Sequence, residues 1–110
     1  MIVYHRTDQS EHIIGEGFRD GSGRYMFDIR LTGVFVSDVP LDGNEGAKGS
    51  DLLAVDIDEG LLGPFELVDE ESVANYREWC VPAEVLNTHG KVVLLSGPEL
   101  DAAETVRWTR

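Results

Sequence analysis

Short apolar runs, interrupted every few residues by glycine, proline or clustered polar residues, dominate this chain. Runs of this length that are rich in β-branched and aromatic residues are typical of strands, because a surface helix needs a longer segment with a 3.6-residue period. The runs predict seven short strands, at residues 2–5, 34–37, 52–57, 65–68, 77–81, 91–95 and 106–108.

Helix signals are few and weak. Asp8 and Glu11 have the spacing of a capping box, which predicts a short helix through residues 13–14 that a glycine at 15 or 17 ends. Pro82 predicts a helical turn over residues 82–86, and Pro98 a further short helix. Residues 18–23, 39–50 and 70–75 are predicted to be loops, and residues 60–64 a turn. Many short strands with few short helices predict one α+β domain over residues 1–110.

The net charge of −12 limits the partners that we expect. Such a chain should not adhere to nucleic acid or an anionic membrane without a local basic patch. Residues 1–30 hold four arginines against five acids, so nearly all of the excess charge lies beyond them, and an anionic ligand should prefer the N-terminal third. The single cysteine forms no intramolecular disulfide and no apolar run is long enough to span a bilayer, so we expect a cytoplasmic protein.

Three segments, in a fixed order, carry the residues most suited to chemistry. They are Val3-Tyr4-His5-Arg6-Thr7 with the later Gly17-Phe18, then Gly33-Val34-Phe35-Val36-Ser37-Asp38, and finally Tyr76-Arg77-Glu78-Trp79 with Pro82-Ala83-Glu84-Val85. This set resembles the ADP-ribosyltransferase superfamily, in the branch of diphtheria-toxin-like and poly-ADP-ribose-polymerase-like enzymes. Members begin with a strand that ends in Tyr-His-Gly-Thr or His-Gly-Ser, and a late Tyr-x-Glu-Tyr/Trp strand precedes Pro-Ala-x-Val. The resemblance covers about residues 2–86.

The resemblance implies a compact fold of two small antiparallel sheets with short helices and NAD in the cleft between them. It implies that His5 bonds the adenosine ribose and that Thr7 supports the end of the first strand. Ser37, at the end of the middle strand, joins the cofactor-binding set, and Tyr25 is a candidate to stack on the nicotinamide ring. The implied cofactor is NAD, consumed as a substrate, with no metal.

Glu78 would be the catalytic residue. Breaking the bond between nicotinamide and ribose builds positive charge on the sugar, as glycoside hydrolysis does. A fixed carboxylate near that sugar is worth more in the transition state than in the ground state, and it can also deprotonate the incoming nucleophile. We therefore expect Glu78 and His5 to line one cleft, within reach of a single dinucleotide.

Arg6 departs from the family pattern, which has glycine after the histidine, where the backbone meets the nicotinamide amide. Arg6 or Arg19 could bind the NAD diphosphate, since arginine forks suit phosphate oxygens. Arg6 could instead block part of the pocket. Tyr76 stands two residues before Glu78, where arginine-specific transferases usually have Glu or Gln, so the sequence does not identify the acceptor.

Several alternatives remain open at this level. The same fold without turnover could be an acidic binding module or inhibitor, and an RNA 2′-phosphotransferase-like activity ranks below both because of the negative charge. Partners implied by the resemblance are a protein or nucleic-acid acceptor and an antitoxin or host target, as in toxin-like bacterial or phage systems. His5 could be a structural histidine, and Glu78 could face water.

Metal binding is not expected from the sequence. His5, His12 and His89 lack metal-ligand spacing. The acidic corner at residues 56–59 could bind a divalent cation weakly, but a solvated edge explains it better.

Overall fold

Strands and short helices alternate along the chain. The computed structural model describes residues 1–25, 29–41, 49–68 and 76–109, without the side chains of 24, 25, 29 and 106–109. The strands are β1 (Ile2–Thr7), β2 (Gly21–Tyr25), β3 (Ile29–Ser37), β4 (Asp51–Asp56), β5 (Glu66–Leu67), β6 (Glu78–Val81) and β7 (Lys91–Leu94). The helices are α1 (Ser10–Glu16), α2 (Glu59–Leu62, followed by a 3₁₀ turn at Gly63–Phe65), α3 (Ala83–His89) and α4 (Gly97–Thr109). The α+β class predicted from the sequence is confirmed.

The described strands form one mainly antiparallel seven-stranded sheet, not the two small sheets that we expected. Its order is β5-β6-β3-β1-β4-β7, with β2 paired to β3 off this path. The reason is the length of β3. Its first half, up to Gly33, pairs with β2, while its second half, from Val34, pairs with β6. The two groups of strands therefore share one long strand and belong to one sheet.

The pairing register assigns side chains to two faces, because directly opposite residues share a face and consecutive residues alternate. Tyr4 lies opposite both Ser37 and Ala54, and Ser37 lies opposite Glu78. We call the face that these residues share with Arg6 the α4 face. We call the other the core face; it carries Val3, His5, Val36, Leu53 and Trp79.

The main hydrophobic core lies between the core face and the first three helices. Val3, Leu53 and Trp79 are fully buried there, and side chains from the helices and the turn after α1 complete the cluster, including Ile13, Phe18, Leu62 and Leu86. The α4 face is covered by the segment after β3 and by α4. Val39, Pro40 and Leu41 are buried in that segment, and Ala103 is buried on α4.

The capping role that we expected for Asp8 is wrong. Helix α1 starts at Ser10 after Gln9, and the Gln9 side chain makes no capping hydrogen bond. Asp8 Oδ1 instead accepts hydrogen bonds from the backbone and hydroxyl of Ser50, at 2.9 and 3.1 Å. Gly49 lies so close to β1 that a Cβ there would stand 2.3 Å from the carbonyl carbon of Thr7. The bonds to Asp8 therefore hold Ser50, at the end of the predicted loop at 39–50, next to the end of β1.

Three other expectations on secondary structure need correction. Residues 21–25 form β2, although residues 18–23 were predicted to be loop, and the predicted turn at 60–64 is largely α2 and the 3₁₀ turn. The strand predicted at 106–108 belongs to α4, since no glycine or proline breaks the helix after Pro98. The middle of the predicted loop at 39–50 and the whole of that at 70–75 lie outside the described residues.

Candidate functional site

The sheet is split between β1 and β3. β1 pairs with β4 along its whole length, and β3 pairs with β6 from Val34 to Ser37. Between β1 and β3, both fully described here, the register holds one pair, Tyr4 opposite Ser37. Past that pair the two strands no longer form a ladder, although they remain neighbours in the sheet. The carbonyl group of Phe35 is thereby left for a side chain to bond.

His5 fills the beginning of this split. Its Nδ1 lies 2.7 Å from the carbonyl oxygen of Phe35, and its ring packs edge-on against Phe18 with centroids 5.6 Å apart. A carbonyl can only accept, so Nδ1 carries the proton. Burial lowers the pKa of His5 below its ordinary value, and the bond to Phe35 offsets part of that effect. The ring is therefore neutral at pH 7, and its Nε2 is an acceptor.

Arg6 points to the other face and is held within the chain. Its Nε donates to the carbonyl oxygen of Leu41 at 2.7 Å, and its Nη2 donates to Glu104 Oε1 at 2.7 Å. The side chain is only 14% exposed. Arg6 thus links β1 to the segment after β3 and to α4.

The hydroxyl groups of Thr7 and Ser37 form hydrogen bonds with the backbone just after their strands end. Thr7 Oγ1 accepts from the backbone of Gln9 at 2.8 Å, and Ser37 Oγ donates to the carbonyl of Val39 at 2.6 Å. Both residues are buried. Each hydroxyl therefore already has a partner inside the chain.

Arg19 lies in the turn that leads into β2, and Tyr25 is the last residue of that strand. Arg19 is exposed and follows the buried Phe18. The next residue, Asp20, accepts a hydrogen bond at its Oδ1 from Ala83 N, at the start of α3, at 2.8 Å. Tyr25 ends β2 opposite Ile29, and its side chain lies outside the described set. Among the two arginines proposed for the diphosphate, Arg19 is the one whose side chain faces solvent.

Glu78 begins β6 and is half-buried. It lies opposite Ser37, in the same row as Tyr4, and so on the α4 face. His5 belongs to the next row and the core face. Two strand spacings separate β1 from β6, so the two backbones lie about 10 Å apart. The structure brings His5 and Glu78 to neighbouring rows of the sheet but directs their side chains to opposite faces, contrary to our expectation of a single shared face.

Asn87 is a residue that sequence motifs did not reveal. Its Oδ1 accepts from Phe18 N at 2.7 Å, and its Nδ2 donates to Phe18 O at 3.0 Å. Gly17 has a φ of 93°, and a Cβ there would lie 2.9 Å from Asn87 Oδ1. Asn87 thus holds the Gly-Phe turn against α3, which positions Phe18 beside His5. No local pattern distinguishes this asparagine from one that faces water.

A separate open pocket of about 280 Å³ lies at the other end of β1, lined by Met1, Asp56, Ile57, Asp58, His89 and Lys91. Acids of the predicted acidic corner have partners in the fold. Asp56 lies 3.7 Å from the N-terminal ammonium group, Asp58 accepts from Gly60 N, and Glu59 pairs with Arg77. In the part of the chain that the structure describes, no group of three metal-binding side chains comes together.

Comparisons with protein-family models, with curated proteins and with solved structures find no match to this chain. Within the described residues, no helix is both long and apolar enough to cross a membrane.

Proposed function

We propose that this chain is an NAD-dependent ADP-ribosyltransferase, which transfers ADP-ribose to a macromolecular acceptor or hydrolyses NAD. One observation carries the proposal: the sheet splits between β1 and β3, directly beside His5. The three segments that resemble the superfamily are β1, the second half of β3, and β6 with α3. β1, β3 and β6 are consecutive in the sheet, so the resembling residues lie on three neighbouring strands.

His5 would bind a ribose hydroxyl group. Its Nδ1 proton is engaged by Phe35, so the neutral ring offers Nε2 as an acceptor. A hydroxyl donates to such a nitrogen, whereas a phosphate oxygen is itself an acceptor. The diphosphate needs cations or backbone N–H groups, and the exposed Arg19 beside Phe18 is suited to it.

Glu78 would act at the nicotinamide ribose. As the bond from ribose C1′ to the nicotinamide nitrogen breaks, its electron pair leaves with neutral nicotinamide and the sugar becomes cationic. A half-buried carboxylate stabilises that cation more than the same group would in water. The acceptor's nucleophilic atom then bonds to C1′, and Glu78 takes the proton that this atom releases. Because Glu78 and His5 face opposite sides, NAD would have to pass through the split and not lie along one face.

Binding and turnover are tested separately. Calorimetry with NAD tests the split, and no heat of binding at millimolar NAD would eliminate the proposal. With labelled NAD, Glu78→Gln should lose most labelling or hydrolysis while it keeps NAD affinity. Glu84→Gln, which neutralises an exposed acid on α3, is the matched control and should behave like the wild type. Equal labelling by Glu78→Gln would remove Glu78 from the chemistry.

A second candidate is an acidic binding module that does not turn NAD over. Two observations favour it: His5 and Glu78 face opposite sides, and the Arg6 guanidinium is bonded inside the chain. This candidate predicts no labelling by the wild type, whatever its affinity for NAD. The labelling experiment therefore decides between the two.

A further inference from the structure

Strand β7 ends the sheet on one side. Among the described strands, its one neighbour in the sheet order is β4. In an antiparallel pair, every second residue directs its backbone groups to the partner strand, and the residues between direct theirs away. Leu95 N donates to Leu52 O at 3.0 Å, so the register directs Val93 to β4 as well. The N–H and C=O groups of Val92 and Leu94 therefore face the open side of the sheet.

This edge is apolar as well as unpaired. Val93 is 52% exposed and Leu94 is 39% exposed, and the two side chains lie on opposite faces, because consecutive residues of a strand alternate. Helix α4 does not follow the edge, since it leads back over the sheet, where Glu104 bonds Arg6 on β1. An exposed strand edge with apolar side chains is a template for pairing with another chain.

Acidic side chains flank the edge on both faces. On the core-face side, α1 lies beside β7, and its Glu11 is exposed. On the α4 face, Glu99 and Asp101 are exposed near the start of α4. β7 itself carries one base, Lys91, which lies opposite Asp56. In a chain of net charge −12, these acids favour a cationic strand at the edge and oppose a second copy of the same chain.

We infer that β7 is a docking edge for an extended, cationic segment of another protein, which joins the sheet as one more strand. Its backbone bonds to Val92 and Leu94, and its apolar side chains cover Val93 and Leu94. Its lysines or arginines lie near the acids of α1 and α4. The inference needs neither NAD nor the split, so it is independent of the enzymatic proposal. It gives the acidic binding module, the second candidate above, a partner of defined chemistry.

Two blocked peptides test the edge in the full chain. The cationic probe is acetyl-Lys-Lys-Val-Thr-Val-Thr-Val-Lys-Lys-amide, and the control replaces each lysine by glutamate. NMR measures amide hydrogen exchange of Val92 and Leu94 against that of Val93, whose N–H is directed to β4. With the cationic peptide at about ten times its dissociation constant, exchange at Val92 and Leu94 should slow about tenfold, because these amides exchange only in the free protein. The acidic peptide should leave both unchanged.

A pair of protein variants locates the binding. Val93→Lys places a charge in the middle of the edge, and Val68→Lys makes the same change at a valine that is 71% exposed after β5. β5 lies at the other side of the sheet, about 24 Å away by strand spacing, well beyond the screening length of about 8 Å at physiological salt. By calorimetry, Val93→Lys should weaken binding of the cationic peptide about tenfold, because like charges repel across neighbouring strands. Val68→Lys should bind it as the wild type does.

Each other outcome would overturn the inference. If the cationic peptide binds without slower exchange at Val92 and Leu94, charge alone holds it and strand addition is refuted. Equal binding of the acidic peptide would refute the charge argument, and equal affinity of Val93→Lys and the wild type would place the peptide elsewhere. No binding at millimolar cationic peptide would refute the docking edge. If the two amides slow with rising protein concentration alone and sedimentation shows a dimer, the occupant is a second copy.

Discussion

Gly33→Ala should destabilise the protein by several kcal/mol, because this glycine stands where β3 passes from β2 to β6. Its φ is 153°, in a region that L-residues avoid, at a cost of about 1–3 kcal/mol. A Cβ there would lie 2.9 Å from Cys80 Sγ and 3.0 Å from Val81 O. Such overpacking forces neighbouring atoms apart, at about 1–3 kcal/mol. Together the two effects predict a loss of about 2–6 kcal/mol.

Urea unfolding measures this loss as a lower midpoint at unchanged slope. Gly63→Ala is the control, because Gly63 has a helical φ of −48° and no heavy atom within 4 Å of a built Cβ. It should change stability by less than about 0.5 kcal/mol. A second background, Cys80→Ala, removes Sγ but leaves Val81 O, so Gly33→Ala should cost less there by roughly 1 kcal/mol. A loss below about 0.5 kcal/mol in the wild-type background would refute the reasoning, and an equal loss in both backgrounds would show that Sγ is not the obstacle.

The other predictions concern the surroundings of the split. Burial lowers the pKa of His5 in the folded protein. As the pH falls below about 6.5, His5 therefore takes up a proton in the unfolded chain before it does so in the folded chain. The free energy of unfolding then falls by up to about 1.4 kcal/mol per pH unit, until His5 is protonated in the folded protein as well. In urea unfolding from pH 8 to pH 5, His5→Gln should lose this part of the slope, while His12→Gln keeps it; identical slopes in His5→Gln and the wild type would contradict the assignment. Asn87→Ala leaves both backbone groups of Phe18 without their partner and should cost about 1–3 kcal/mol. Thr88→Ala, at an exposed position on the same helix, should cost far less, and equal costs would show that the Asn87 bonds are not important.

The strands could be predicted wherever an apolar run becomes part of a buried face. β1 and β4 lie close to the predicted ranges and contribute buried residues, as expected for short β-branched runs on a half-buried surface. β7 also lies close to its predicted range, although most of it is exposed. β2 could not be predicted, because Gly21-Ser22-Gly23 offers no apolar face. β2 is held in the sheet by its backbone hydrogen bonds to β3. Gly23 allows the two strands to pack closely, because a Cβ there would lie 2.7 Å from the Phe35 ring. The continuation of α4 through residues 106–108 was not predicted either, because local propensity does not distinguish a short strand from the end of a helix.

The sequence suggested candidate residues, but it predicted neither the order of their strands in the sheet nor the face on which each side chain lies. That the resembling segments lie on neighbouring strands follows from their order only once the topology is known. The face on which each side chain lies depends on register, and a shift of one residue moves every side chain to the other face. No local sequence pattern predicts the register that places Ser37 opposite both Tyr4 and Glu78. The partner of Arg6 was equally hidden, since Glu104 is 98 residues away in the chain.

The register changes what catalysis by this chain would require. The core face, on which His5 lies, is packed against the hydrophobic core and the helices, and Glu78 lies on the α4 face. A ligand that stays on one side of the sheet therefore cannot contact both side chains. The enzymatic proposal would need NAD to contact both side chains where the ladder between β1 and β3 is limited to the pair of Tyr4 and Ser37. If β1 and β3 were paired as fully as β1 and β4 are, their backbone hydrogen bonds would leave no room for such contact. The enzymatic proposal therefore depends on a missing stretch of hydrogen bonds more than on the identity of either side chain.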